Sequence, residues 1–249
     1  MQEQDKLKFK GLFGIAPEEA GEAMIISPFF NMRFFKQQFK KHNAFKGMVF
    51  KGINGIYKNK KITYVNTGMG YTLVGDCVLA QEITNVKKII FLGAVGSVDG
   101  LEVGDCVIVQ KAFFEKEYYK KFGICGKEDS LESGFFPDEF LVNNCEMLAR
   151  EQKIAIKKVD VMSVHSFWEE NAGLAHRLRQ KNIQAVELEC AGFYALAALS
   201  KIKALALCFV SDHIMNRPYW SDFSLSEKSK MLESTQSLVN LALECALVD

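Results

Sequence analysis

The segment Ala204-Leu205-Ala206-Leu207-Cys208-Phe209-Val210, followed directly by Ser211-Asp212-His213, decides the fold. An uninterrupted apolar run of this length predicts a buried strand of an α/β sheet. Asp212 stands at the point where this strand gives way to a loop. Because ligands bind at the carboxyl ends of strands in open α/β sheets, we expect Asp212 to lie in a binding site.

A second acidic segment, Val186-Glu187-Leu188-Glu189, leads into small residues typical of a packed helix. Around these two segments, periodicity and turn residues predict further strands at 24–27, 51–57, 60–66, 88–92, 106–110, 159–163 and 185–187. Helices are predicted at 33–41, 74–83, 143–152, 172–181, from 189, and 223–247. Residues 118–137, rich in glycine and charge, predict an excursion over the surface. Strands thus alternate with helices, which predicts a single three-layer αβα domain over residues 1–249 with a mixed central β-sheet.

Composition excludes several classes of protein. The 31 basic and 30 acidic residues give a net charge of +1, which argues against a nucleic-acid or membrane-surface protein. No stretch approaches the roughly 18 apolar residues of a membrane span, and the first residues lack the apolar core of a signal peptide. The 7 scattered cysteines favour reduced thiols in a cytoplasmic protein. The 4 histidines show no metal-binding spacing, so we expect no metal and no cofactor.

Several motifs together resemble the purine nucleoside phosphorylase family, within the nucleoside phosphorylase and nucleosidase superfamily. They are VELECAG at 186–192, VSDH at 210–213, NTGMG at 66–70, IIFLGAVGS at 89–97 and VGD at 103–105. The resemblance covers nearly the whole chain and implies cleavage of the N-glycosidic bond of a purine nucleoside. It also implies phosphate as a co-substrate and a homo-oligomer, either a dimer or a hexamer built as a trimer of dimers.

Such a cleavage requires an acid for the departing base and an anion beside the cationic sugar, as in glycoside hydrolysis. The resemblance implies that Asp212 is the acid at N7 of the purine, provided that burial raises its pKa. It places Ser211 at the base as well. Taken without the resemblance, a Ser-Asp pair is equally typical of a helix cap or a turn.

The resemblance also implies the ribose ligands. Glu189 matches the carboxylate that accepts hydrogen bonds from the 2′ and 3′ hydroxyls. Its alternative role is to stabilise the first helical turn through the helix dipole. Glu187 takes its place if the strand ends later, since alternate residues of a strand point in opposite directions. Leu188 and Met69 match residues beneath the sugar, with core packing as the alternative for Met69.

The resemblance assigns the stacking of the purine to Phe167, although a Phe-Trp pair by itself is more often part of a core. After His213 the chain is longer than in the phosphorylases. Arg217 or Lys228 in this region matches a mobile arginine that assists proton delivery to Asp212. The same segment is also consistent with an exposed lid.

The phosphate half of the site departs from the family. Of the phosphate ligands that the resemblance implies, this sequence retains Arg33, Lys46, which a neighbouring subunit would donate, and the backbone amides of Gly68 and Gly93. Phe91 replaces an arginine of the family and Ala94 replaces a serine, and neither side chain binds an anion. Phe45, beside Lys46, and Phe13, which matches a histidine of the partner subunit, are then expected at a subunit boundary.

Three functions therefore stay open. The resemblance implies phosphorolysis to the free base and ribose 1-phosphate. Hydrolysis by water is favoured by Phe91, Ala94 and Phe29. A non-catalytic nucleoside-binding protein is the third, and it has no need of an acid at Asp212.

Overall fold

A computed structural model describes residues 3–114 and 134–248, so the predicted excursion over residues 118–137 falls largely outside the described residues. The strands are β1 (Ala23–Ser27), β2 (His42–Lys46), β3 (Lys51–Tyr57), β4 (Lys60–Asn66), β5 (Lys88–Ser97), β6 (Cys106–Phe113), β7 (Ile156–Ser163), β8 (Ala185–Glu187) and β9 (Lys203–His213). The helices are α1 (Glu3–Phe13), α2 (Met32–Lys36), α3 (Tyr71–Leu79), α4 (Glu139–Glu151), α5 (Ala172–Gln180), α6 (Cys190–Leu199) and α7 (Leu225–Leu247). Short 3₁₀ turns cover Pro17–Glu19, Ala80–Ile83 and Phe167–Glu169.

All the described strands belong to one mixed sheet with the order β2-β3-β4-β1-β5-β8-β7-β6-β9. β5 lies at its centre, parallel to both β1 and β9. Because β9 also pairs with β6, the strands β5, β8, β7, β6 and β9 close into a ring. The predicted hairpin of β3 and β4 is confirmed.

Helices cover both faces of the sheet, which confirms the three-layer αβα prediction. On one face, α1, α3 and α6 pack on the odd-numbered side chains of β5, such as Ile89 and Phe91. On the other face, α2, α4 and α7 pack on Ile90 and Leu92. The central strands are thus buried on both sides, as their continuous apolar sequence requires.

β5 and β9 run further than their apolar segments predict. β5 continues to Ser97 and β9 to His213, and the two strands pair along this whole length with one bulge at Val95/Gly96. The mutual pairing continues both strands past the point where their sequence becomes polar. Asp212 therefore belongs to the end of β9 and does not follow it.

Two elements at the other edge of the sheet differ from the sequence prediction. The helix predicted at 33–41 ends at Lys36, and the chain then forms β2. Phe39 leaves the helix to pack on Gly55, where a Cβ atom would lie 1.9 Å from the phenyl ring. α1 was not predicted, although Phe9 and Phe13 bury it against the core.

Tyr194 of α6 joins this helix to the closed ring of strands. Its buried hydroxyl donates to the carbonyl oxygen of Val109 at 2.7 Å and accepts from the amide of Ala206 at 2.9 Å. It therefore connects α6 with both β6 and β9 through one oxygen atom.

Candidate active site

The ends of β5, β8 and β9 bring three carboxylates to one edge of the sheet. Gly96 of β5 pairs with Asp212 on one side and with Val186 on the other, immediately before Glu187. A Cβ atom at Gly96 would lie 3.5 Å from the Asp212 Oδ2 atom and 2.6 Å from Ile214. A glycine here leaves room beside the acid, a role that the sequence alone did not indicate.

Asp212 is buried, with 4% of its surface exposed. Its Oδ1 atom accepts a 2.6 Å hydrogen bond from the Ser211 hydroxyl. Its Oδ2 atom is buried and has no hydrogen-bond partner among the described residues. Burial raises the pKa of Asp212, and the Ser211 hydroxyl and the nearby Tyr219 backbone oppose this rise. Because a buried polar atom without a partner is costly, this oxygen suits a ligand or a proton.

Glu187 is used by the protein itself. Its carboxylate accepts hydrogen bonds from the Ser163 hydroxyl, from the Glu189 amide at 2.6 Å and from the Cys190 amide at 2.7 Å. Burial raises the pKa of Glu187, and these hydrogen bonds oppose the rise. Glu187 therefore caps the start of α6.

Glu189 has a different environment. Its Oε1 atom accepts a 2.6 Å hydrogen bond from the amide of Gly70, in the glycine-rich loop before α3. Burial, together with the neighbouring charge of Glu187, raises the pKa of Glu189 to about 8. Of the two glutamates, Glu189 keeps more acceptor capacity for a ligand.

A fourth carboxylate, Glu170, follows the 3₁₀ turn Phe167–Glu169. Burial raises its pKa to about 7, with added repulsion from Asp212 and Glu187. Sequence reasoning missed Glu170 because it stands in a polar segment, and only the fold brings it near Asp212.

Of the residues predicted at the base and sugar, Phe167 and Met69 are exposed, by 43% and 57%. Core packing is therefore the wrong alternative for both. Leu188 is half-buried against the apolar cluster that contains Ile214. The Ser211 hydroxyl lies 3.3 Å from the Val95 carbonyl oxygen and bonds to Asp212, so it supports the acid from within the fold.

Three of the predicted phosphate ligands remain accessible. Arg33 is exposed on α2, whose first turn is capped by the Asn31 side chain. Gly68 is partly exposed, with a left-handed φ of 74° that favours glycine. Lys46 is exposed at the end of β2.

Gly93, whose backbone amide is a predicted phosphate ligand, is less accessible than these three residues. It is buried inside β5, and a Cβ atom there would lie 2.4 Å from the Phe91 ring. Phe91 itself is 1% exposed and packs on Phe193, with ring centroids 5.6 Å apart. An apolar side chain, Phe91, therefore occupies the sequence position at which the resemblance implies a cation.

Neither predicted assistant of proton delivery bonds to the free oxygen of Asp212. Arg217 forms a 2.8 Å ion pair with Glu227, donates to the Asp222 carbonyl oxygen at 2.9 Å, and lies over Phe223. Lys228 is exposed on α7. In this structure Arg217 braces the start of α7.

Phe13 and Phe45, expected at a subunit boundary, are buried within their own chain. Phe13 stacks on Phe9 at 4.3 Å, and Phe45 lies over Gly52. Over the described ranges, there is no group of at least three histidine, cysteine or acidic side chains placed to hold a metal ion. Nor is any helix in those ranges long and apolar enough to cross a membrane.

Comparison with known proteins places this site in a family. The model of the phosphorylase superfamily matches residues 23–243, a range that contains the four carboxylates of this site, Glu170, Glu187, Glu189 and Asp212. The chain belongs to the phosphorylase superfamily. The resemblance read from the motifs is thereby confirmed, and membership indicates an enzyme of the nucleoside phosphorylase kind.

Sequence relatives of this superfamily member include a DeoD-type purine nucleoside phosphorylase of Mycoplasma genitalium. The two are 32% identical over 215 residues, which cover 82% of this chain and 87% of the relative. A DeoD-type purine nucleoside phosphorylase of Buchnera aphidicola is 29% identical over 198 residues, covering 78% and 79% of the two chains.

Solved structures agree on the fold. A uridine phosphorylase from Vibrio fischeri superimposes with a TM-score of 0.78 at 14% identity, over 92% of this chain and 93% of that one. At this identity the likeness establishes the three-layer architecture of the phosphorylase superfamily member and leaves its substrate open.

Proposed function

We propose that this enzyme cleaves the N-glycosidic bond of purine nucleosides, by phosphorolysis to the free base and ribose 1-phosphate. The observation that carries the proposal is the buried Asp212 carboxyl, whose Oδ2 atom has no partner among the described residues. The relatives named purine nucleoside phosphorylases support the same reaction.

Asp212 acts as the general acid in this reaction. Burial raises its pKa and so favours the protonated form. As the C–N bond breaks, the bonding electrons move onto the purine while the proton of Asp212 passes to N7. Ser211 holds the other carboxyl oxygen in place. Phe167 stacks on the base with its exposed ring.

Glu189 acts on the sugar. Its carboxyl group accepts hydrogen bonds from the ribose hydroxyls, and in its ionised form it places negative charge beside the developing oxocarbenium ion. Gly70 orients it, and Met69, one residue earlier, covers the sugar together with Leu188. A phosphate oxygen held by Arg33, Gly68 and a partner's Lys46 then attacks C1′.

Hydrolysis is the second candidate, and one observation favours it. Phe91 is packed into the core and covers Gly93, so the phosphate site has few donors. Each hydrogen bond to a charged group is worth about 1.5 to 3 kcal/mol, so losing an arginine and a serine weakens phosphate binding by roughly 10²- to 10⁴-fold. Water would then replace phosphate as the nucleophile.

The test is to incubate the protein with inosine, adenosine, 5′-methylthioadenosine and uridine, in phosphate-free buffer and with added phosphate. Release of purine that depends on phosphate and yields ribose 1-phosphate supports phosphorolysis. Free ribose at equal rates in both buffers supports hydrolysis. Cleavage of uridine with no cleavage of any purine nucleoside would overturn the proposal.

A further inference from the structure

Four aromatic side chains surround a cavity of about 560 Å³ beside the candidate active site. Among the described residues, its walls are Phe167, Trp168, Tyr219 and Trp220. Trp168 is 93% exposed and Trp220 is 69% exposed. A concentration of large apolar rings that face solvent is typical of a binding site and not of a core.

Two tight turns hold these rings. Trp168 lies in the 3₁₀ turn Phe167–Glu169, which is capped because the Ser166 hydroxyl accepts from the Trp168 amide at 3.3 Å. Tyr219 and Trp220 stand at the corner of a turn closed by a 2.8 Å bond from the Ser221 amide to the Pro218 carbonyl. These hydrogen bonds hold the backbone positions from which the aromatic side chains project.

The chain segment after β9 connects this cavity to the acid. Beyond β9 the chain turns back on itself, and His213 and Arg217 exchange two backbone hydrogen bonds of 3.0 and 2.9 Å. This return brings the Tyr219 backbone beside the Asp212 carboxyl. The cavity is therefore lined both by Tyr219, whose backbone lies beside the acid that we assign to N7, and by Phe167, which we assign to the base.

In a purine, N7 and the substituent on C6 lie on the same edge of the ring. A base that places N7 at Asp212 and its face on Phe167 therefore directs its C6 substituent along Tyr219. The cavity volume falls within the range of about 300 to 1,000 Å³ that ligand pockets occupy.

We propose that this cavity is an additional subsite, which receives an apolar or aromatic substituent on C6 of the purine, such as an N6-benzyl group. The inference rests on the proposed purine function. The subsite makes the enzyme prefer bases with such a substituent, because the substituent covers Trp168 and Trp220.

The test uses the fact that the chain has only 2 tryptophans, Trp168 and Trp220, and both line the cavity. Adenine and N6-benzyladenine are titrated against the whole protein, with tryptophan fluorescence as the signal. We expect N6-benzyladenine to bind about tenfold or more tightly than adenine, a ratio typical of filling a hydrophobic pocket. Trp220→Ala, with Trp168 as the remaining reporter, should remove most of that ratio, and Trp220→Phe should retain it.

Phe140→Ala is the matched control, because the side chain of Phe140 is as exposed as that of Phe167. Phe140 lies on α4, and the hydrogen bond between Asp138 and Ala204 places the start of this helix at the opposite end of β9. This variant should keep the wild-type ratio. Equal binding of the two bases, or a ratio unchanged in both Trp220→Ala and Trp168→Ala, overturns the subsite.

Cleavage of adenosine and N6-benzyladenosine is measured in parallel. If N6-benzyladenine binds more tightly but neither nucleoside is cleaved, the proposed function fails and the subsite stands. If adenosine is cleaved but N6-benzyladenine has no advantage in binding, the subsite alone fails.

Discussion

The amide of Gly70 donates a 2.6 Å hydrogen bond to the carboxylate of Glu189, two residues that are far apart in the chain and joined only by the fold. This contact attaches the glycine-rich loop to the start of α6. It stabilises the ionised form of Glu189, yet burial and the Glu187 charge outweigh it and raise the pKa to about 8.

Because the pKa of Glu189 is raised in the folded protein, its ionisation lowers the free energy of unfolding at alkaline pH. An acid whose folded pKa exceeds its unfolded value binds more protons when folded, so its contribution falls as pH rises from about 4.5 toward about 8. We expect Glu189→Gln to raise the free energy of unfolding near pH 8 by about 1 to 3 kcal/mol, and to have little effect near the unfolded pKa. Denaturant titrations of both proteins across this pH range measure the difference in the free energy of unfolding. A destabilised Gln variant at pH 8 would contradict the assigned environment.

Glu189 should also set the preference for ribosides. A site built to accept a hydroxyl proton discriminates against a substrate without it, so kcat/KM for inosine should exceed that for 2′-deoxyinosine by tenfold or more, on the order of one lost charged hydrogen bond. Glu189→Gln should remove most of this ratio. Glu187→Gln is the informative comparison, since its loss should lower stability through the cap of α6 and leave the ratio intact. A ratio that follows Glu187 instead would reverse the assignment.

Asp212→Asn should lower purine release by about 10²-fold or more, since general acid catalysis typically contributes about 10²- to 10⁴-fold. The amide keeps the shape and the Ser211 hydrogen bond but supplies no transferable proton. Asp99→Asn removes an exposed carboxylate just beyond β5 and should retain activity. Full turnover in Asp212→Asn at neutral pH would show that another group protonates the base.

Arg33 should contribute to the binding of phosphate and not to the binding of the nucleoside. If the reaction is phosphorolysis, Arg33→Ala should raise KM for phosphate by about tenfold or more, the value of one charged hydrogen bond, with KM for the nucleoside unchanged. Lys36→Ala removes a neighbouring exposed cation from the same helix and provides the control. Equal effects of the two substitutions would indicate general attraction of anions by α2.

Light scattering tests the expected homo-oligomer. Lys46 is exposed at the end of β2, and its proposed contact with phosphate is made across a subunit boundary. We expect at least a dimer at micromolar concentration, with Lys46→Ala raising KM for phosphate in the assembled protein. A monomer that retains full activity would remove Lys46 from the site.

Strand positions were predictable from the sequence wherever an apolar run is buried on both faces of the sheet, as in β5 and β9. Their ends were not, because the pairing between β5 and β9 carries both strands beyond the apolar residues. The helix predicted at 33–41 was cut short by Phe39 packing on Gly55, a contact that no local pattern contains.

Within the candidate site, the motifs located Asp212 and the two glutamates but could not choose between the glutamates. The choice depends on which groups meet each carboxylate, and these are Ser163 for Glu187 and Gly70 for Glu189, both distant in sequence. Glu170 carried no signal at all, since its raised pKa arises only from burial and nearby charges in the folded chain.

The hydroxyl of Tyr194 gives the two halves of the site a common anchor. Helix α6 begins directly after Glu189, and Asp212 lies one residue before the end of strand β9. One oxygen atom connects the helix to the strand through Ala206. Replacing the tyrosine by phenylalanine would leave a buried amide and a buried carbonyl without partners, at about 1 to 3 kcal/mol each. The hydroxyl oxygen of Tyr194 thus helps to hold the distance between the sugar-binding and base-binding carboxylates. The geometry of the site therefore depends on a hydrogen bond in the buried interior of the protein.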